Sequence, residues 1–108
     1  MSSDVEQRAF RALADPTRRE ILRLLAVEPR SVGAVVDAFA MTRTAVAKHL
    51  AVLEAGRLIR IEAKGRERIN HLDAEGLSAA RAWLALFDDF WDEKLAALKA
   101  AVEKDDAP

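Results

Sequence analysis

The sequence predicts a mainly α fold with one small β-hairpin, and three observations carry that prediction. Through residues 1–56, apolar residues recur at helical spacing in four successive segments, each opened by a side chain suited to capping a helix. From Leu58 the apolar period shortens to two in a pair of runs flanking Gly65. Helical spacing returns after Asp73 and persists towards the C-terminus.

Each element has a local reason. Ser3 and Glu6 stand at the spacing of a capping box, so a first helix is expected from there to about Ala14. Asp15-Pro16 restarts the chain. Aspartate accepts free N–H groups at a helix start, and proline fits the first helical position because its missing N–H has no partner there. The second helix carries Ile21, Leu24 and Leu25 on one face and stops before Pro29. Ser31 caps a short third helix with Val32, Val35, Val36 and Phe39 inward. After Ala40-Met41, Thr42 caps a fourth helix with Val46, Leu50 and Leu53 inward, ending near Gly56. Leu58–Glu62 and Arg68–Leu72 read as a two-stranded hairpin with Gly65 in its turn. Asp73 caps a single long final helix, about Ala74 to Glu103, and residues 105–108 are expected to fray.

Composition narrows the class. A chain of 108 residues suits one domain spanning 1–108, and 51% hydrophobic content with dispersed charge excludes a disordered chain. The absence of cysteine excludes disulfides, Cys-ligated zinc or iron–sulfur sites, thiol nucleophiles and thiol redox sensing. No segment approaches the ~20 apolar residues of a membrane span, and the polar N-terminus is unlike a signal peptide. A soluble, cytoplasmic protein without membrane contact is expected. The formal net charge of −1 conceals a gradient. Basic and acidic side chains number six and five over residues 1–30, seven and four over 31–71, and four and nine over 72–108. Local positive potential, rather than a basic whole, is what a phosphate-binding surface requires.

Two short helices joined by Ala40-Met41-Thr42, followed by a basic, glycine-turned hairpin, make the pattern of a winged helix-turn-helix. In the fourth helix, Thr44, Ala45, Lys48, Ala51 and Val52 lie opposite the Val46, Leu50 and Leu53 face. Small residues there let a helix approach base edges closely, while a hydroxyl and a charge serve phosphate or base contact. The expected DNA-contacting set is Thr42, Arg43, Thr44, Ala45, Lys48 and His49, with Lys64, Arg66 and Arg68 of the wing along the backbone or in a minor groove. Arg18 and Arg19 are further candidates for phosphate contact, although Asp15–Arg18 is chiefly a helix start.

Two stretches carry a family resemblance. Ala12-Leu13-Ala14-Asp15-Pro16-Thr17-Arg18-Arg19-Glu20-Ile21-Leu22 resembles the opening of the ArsR (ArsR/SmtB) family of bacterial repressors. Met41 through Ile59, reading MTRTAVAKHLAVLEAGRLI, resembles that family's recognition helix and its entry into the wing. With the wing, the resemblance covers roughly residues 10–73. It implies a homodimer binding double-stranded DNA at a palindromic operator, released when a signal arrives. Ala82-Trp83-Leu84 and Phe90–Leu95 resemble a subgroup that does not sense metals.

Dimerisation has support from the residues alone. Leu77, Trp83, Leu84, Leu86, Phe87, Phe90, Trp91, Leu95, Leu98 and Val102 form a stripe broader than a ~100° core face. A symmetric partner would cover it and place two recognition helices about one DNA turn (~34 Å) apart. The division expected is a DNA-reading part over about 31–72 and dimerisation helices over 1–15 and 73–104. The interface would hold Phe10, Leu13, Trp83, Leu84, Phe87, Phe90, Trp91 and Leu95. The alternative is a final helix folded back along its own core.

Both metal-sensing patterns of the family are missing. Where a Cys-x-Cys would open the third helix the chain reads Ser31-Val32-Gly33-Ala34, and no histidine follows His71. Asp88, Asp89, Asp92 and Glu93 read as a solvated helix face rather than a cation site. No metal and no cofactor are expected, and the inducer, a small organic ligand or a protein, is left open. His49 and His71 read as structural or phosphate-contacting residues without matched metal ligands. No activated nucleophile, phosphate-cradling glycine loop or His–carboxylate dyad suggests an enzyme. The leading expectation is a repressor of its own operon; the alternative is a winged-helix protein-interaction module that does not bind DNA.

Overall fold

A computed structural model describes residues 4–106. Its elements in order are α1 (Asp4–Leu13), α2 (Pro16–Val27), β1 (Arg30–Ser31), α3 (Val32–Phe39), α4 (Arg43–Ala55), β2 (Ile59–Lys64), β3 (Glu67–Leu72), α5 (Ala74–Ala85) and α6 (Asp88–Asp106). Ser3, the expected cap of the first helix, lies outside the described residues, as do Ala107 and Pro108. Asp105 and Asp106, expected to fray, close α6 as helix.

The predicted caps form. Asp15 accepts the Arg18 N–H at 3.0 Å, Ser31 the Ala34 N–H at 3.1 Å, and Thr42 the Ala45 N–H at 3.1 Å. Each satisfies one N–H that the first helical turn leaves without a carbonyl. Thr42→Ala is therefore expected to lower stability by about 1 kcal/mol. A chemical denaturation curve checks this: its midpoint should fall while its slope stays unchanged.

Helices α1–α4 and the start of the sheet enclose the core. Ala9, Ala12, Ile21, Leu25, Val35, Val46, Leu50, Leu53, Leu58 and Ile59 are all buried. On α2, Leu22 takes a core place alongside Ile21 and Leu25, and Leu24 packs only partly buried at its edge. Of the third helix's expected inward residues, Val35 is fully buried and Val32, Val36 and Phe39 flank the core.

Three features depart from the sequence-based expectation. The hairpin belongs to a three-stranded antiparallel sheet of order β1-β3-β2, because Arg30 and Ser31 pair with Asn70 and Ile69. A two-residue strand carries no periodicity to detect. Buried Asn70 fastens it, donating from Nδ2 to the Arg30 carbonyl at 3.2 Å. Second, the hairpin strands run to Lys64 and Glu67, leaving a two-residue turn, Gly65-Arg66. Gly65 has φ +63° and Arg66 a negative φ, the pattern of a II′ turn with glycine at its first central position.

Third, the single final helix is two. The N–H groups of Leu86 and Phe87 donate to Trp83 and Leu84 carbonyls three residues back, each at 3.1 Å, which tightens and ends α5. Asp88 and Asp89 then occupy the first turn of α6, where carboxylates oppose the positive end of the helix dipole. α5 packs on α1, whereas residues 81–104 are exposed throughout. The chain measures 69 × 34 × 21 Å with a radius of gyration of 19.0 Å, against about 13 Å for a compact domain of this length. α6 therefore projects from the domain instead of folding back along its core.

Candidate nucleic-acid interface

The corner between α1 and α2 decides which side of α4 faces solvent. Arg18 donates from Nε to the Ala12 carbonyl (2.8 Å) and from Nη2 to the Arg11 carbonyl (3.0 Å). Arg19 donates to the Leu13 carbonyl at 2.7 Å. Both guanidinium groups thus cap the C-terminal end of α1, where cations oppose the negative end of the dipole. The sequence offers them for phosphate; here both are also bonded to carbonyls of α1, Arg19 through one N–H while its side chain stays exposed. Asp15, held at the N-terminus of α2, has its pKa lowered chiefly by the Arg18 backbone N–H; desolvation opposes this, and the Arg18 and His49 charges and the Thr17 backbone N–H add to the lowering. A depressed carboxylate favours the folded state above its ordinary pKa, and that contribution fades as pH falls through the folded value.

His49 reaches from α4 to this corner, its Nδ1 4.0 Å from Asp15 Oδ2. The contact covers one flank of α4. Ala45 and Val52, which helical spacing placed outward, lie on that flank and are half-buried, Val52 against the core. The open face consists of Arg43, Thr44, Ala47, Lys48, Ala51, Glu54 and Ala55, all exposed. Ala47 was on neither side in the sequence reading. Helical spacing locates it beside Arg43 and Ala51, but only the position of the α1–α2 corner identifies that side as the open one.

The wing adds cations to the same region. Lys64, Arg66 and Arg68 are exposed on the hairpin, and none of Arg43, Lys48, Lys64, Arg66 or Arg68 is ion-paired among the described residues. A cleft of about 390 Å³ is lined by Arg43 from α4, Arg66 and Arg68 from the wing, Glu67, and Ser31, Val32 and Gly33 at the start of α3. Three guanidinium groups and a helix N-terminus on one concavity suit an oxyanion such as phosphate. A second cleft, of about 320 Å³, separates α4 from the wing between Ala47, Ala51 and Ile61. His71 pairs with Glu62 across the hairpin at 3.3 Å, away from both clefts.

The residues expected at a dimer interface come from the two ends of the chain. Phe10 of α1 meets Trp83 of α5 edge-on at 5.5 Å, and Trp83 lies 5.0 Å from Phe87. Leu13 is half-buried against the chain's own core. Leu84, Phe87, Phe90, Trp91 and Leu95 are exposed. Among the described residues, no group of three or more His, Asp or Glu side chains is arranged to hold a metal ion, and no helix is long and apolar enough to cross a membrane.

A helix-turn-helix domain family matches residues 13–62. The chain is 42% identical over 88 residues to the HTH-type transcriptional regulator Rv2034 of Mycobacterium tuberculosis, covering 82% of this chain and 79% of that protein. It is 29% identical to the transcriptional repressor SdpR of Bacillus subtilis, covering 80% and 96%. Among solved structures it resembles an ArsR-like transcriptional regulator from Rhodococcus sp. RHA1 (32% identity, 90% and 92% covered, TM-score 0.70). The chain belongs to the ArsR family. A further match is the homodimeric winged helix-turn-helix DNA-binding domain of Mb0332 from Mycobacterium bovis, described as a possible ArsR-family transcriptional regulator (33% identity, 85% and 82% covered, TM-score 0.64). As an ArsR-family protein the chain is a DNA-binding transcriptional regulator and not an enzyme. The matched residues 13–62 include α3 and α4, the two helices that the sequence reads as the helix-turn-helix, and end within the β2–β3 hairpin.

Proposed function

We propose that this chain is a cytoplasmic, homodimeric repressor that binds a palindromic operator at its own promoter. The observation that carries the reading is the cleft where Arg43, Arg66 and Arg68 converge beside the start of α3. In this arrangement α4 enters the major groove with Thr42, Arg43, Thr44, Ala45 and Lys48 towards DNA, and Ala47 and Ala51 complete the face. His49, tied to Asp15, orients α4 against the α1–α2 corner. Lys64, Arg66 and Arg68 follow the phosphates or the minor groove. A partner copy covers Phe10, Leu13 and Trp83, together with Leu84, Phe87, Phe90, Trp91 and Leu95. The homodimeric mycobacterial domain and the repressor SdpR support this assembly and this sign of regulation. Without cysteine, and without histidine after His71, the signal that releases it is not a thiophilic metal.

Footprinting on the chain's own upstream region tests the reading. Two protected half-sites about one DNA turn (~34 Å) apart are expected. Lys48→Ala should weaken binding to every sequence alike and reduce the salt slope by about 1, as loss of one phosphate contact does. Equal affinity for promoter and scrambled DNA at physiological salt would sink the proposal.

A further inference from the structure

Asn70 is the one polar side chain in the buried set among the described residues, at 0% exposure. It stands in β3 between two strands, opposite Arg30 of β1 and Ile61 of β2. Its Nδ2 donates to the Arg30 carbonyl at 3.2 Å, whereas its Oδ1 is buried without a hydrogen-bond partner. Arg30 Nε is buried and unpartnered as well, although Nη2 of the same guanidinium lies 3.5 Å from Glu28. A buried polar atom left unpaired lowers stability, and an apolar side chain of similar shape avoids that loss. Stability alone gives little reason to place asparagine here.

Its place in the fold gives another reason. The arginine cleft joins Arg66 and Arg68 of the wing to Ser31, Val32 and Gly33 at the start of α3, with Arg43 of α4 beside them. Asn70 lies two residues beyond Arg68, on the same face of β3, and Arg30 immediately precedes Ser31. The Nδ2 bond therefore crosses from the wing to the entry of the helix-turn-helix within two residues of the cleft. On that side the backbone supplies only the two register pairs of β1. Apolar packing has no preferred direction and lets a strand slip or tilt, whereas a hydrogen bond fixes both distance and angle.

We infer that Asn70 is a positioning residue for DNA binding, whose amide holds the wing against the entry to α3 so that Arg66 and Arg68 meet the DNA backbone together with Arg43. This rests on the DNA-binding face proposed above and deepens it. The asparagine contributes alignment rather than stability, a role that buried polar groups take in some folds. It touches no DNA itself, and acts through the two wing arginines.

A double-mutant cycle on the full chain tests this, with DNA from its own upstream region as the probe. Asn70→Leu should leave the thermal midpoint within about 4 °C of the parent's. Its affinity for that DNA should nevertheless fall about tenfold, with a shallower salt dependence, as in the Arg66→Ala/Arg68→Ala double variant. Added to that double variant, Asn70→Leu should change affinity less than twofold, because the contacts it positions are already gone. Asn70→Val, smaller and a good strand former, serves in the same cycle if leucine does not fold. Parent-like affinity in Asn70→Leu, or the full tenfold loss repeated in the wing-alanine background, overturns the positioning role and leaves the DNA-binding face standing. Wing alanines without effect on affinity overturn the wing contacts and this inference together. A parent chain that does not prefer its upstream DNA over scrambled DNA overturns the repressor proposal itself, and the inference with it.

Discussion

Gly76→Ala is expected to destabilise the fold by about 3 kcal/mol, near the upper end for forcing extra volume into a packed site. Gly76 lies in the first turn of α5, where its N–H donates to the Arg57 carbonyl at 2.7 Å. A Cβ built there would collide with the Gly56 carbonyl oxygen and lie 2.6 Å from that of Arg57. These are backbone atoms and cannot swing aside as a side-chain tip can. The same turn is fixed from the other side, since a Cβ on Gly56 would stand 2.8 Å from the Arg8 carbonyl oxygen of α1. Two glycines thus let the end of α4, α1 and α5 meet backbone to backbone. Gly33→Ala supplies the control: its added Cβ would find only Ser31 Oγ at 3.9 Å, so stability should hold or rise by up to about 1 kcal/mol from improved helix propensity. Denaturant titration of both variants makes the comparison. Near-equal stabilities would show that α5 docks less tightly than this geometry requires.

The second large effect concerns sequence discrimination. Arg43→Ala is expected to cost about 2 kcal/mol of operator affinity and to flatten preference at one base position of each half-site. Arg43 is the first residue of α4, exposed and without an ion-pair partner among the described residues, so its removal should leave unfolding unchanged. Binding titrations against operators substituted one base pair at a time provide the measurement. A loss of equal size on every DNA would instead make Arg43 a phosphate contact within the arginine cleft.

Most of the reading head was legible because its signals are local. A capping side chain bonds an N–H two or three residues ahead, so Asp15, Ser31, Thr42 and Asp73 could be identified from their neighbours alone. The turn at Gly65 likewise follows from one residue's freedom to adopt a positive φ. Gly56 shows the limit of such reasoning. A glycine at a helix end suggests a left-handed cap, yet here Arg57 takes φ +56° and Gly56 keeps φ −82°. What Gly56 contributes is the absence of a Cβ opposite Arg8, a neighbour 48 positions away in sequence.

The same distinction runs through the site. The bonds from Arg18 and Arg19 to the carbonyls of α1 were not legible in the sequence, and Ala47 looked unremarkable until the corner at Asp15 covered the opposite flank of α4. The continuous apolar stripe after Asp73 suggested one helix, and the break at residues 86–87 has no glycine or proline to mark it, with Leu86 itself still in the αR region.

By itself, then, the sequence determined helices α1–α4, the β2–β3 hairpin, the caps at Asp15, Ser31, Thr42 and Asp73, the winged helix-turn-helix pattern and the concentration of cations on it, because those depend on residues within a few positions of one another. The tertiary structure alone decided which flank of α4 is open, that β1 joins the sheet, that two glycines serve close approach, and that α6 leaves the domain with its apolar face uncovered. Each of those is settled by backbone and side chains distant in sequence, whose excluded volume and hydrogen bonds have no local trace.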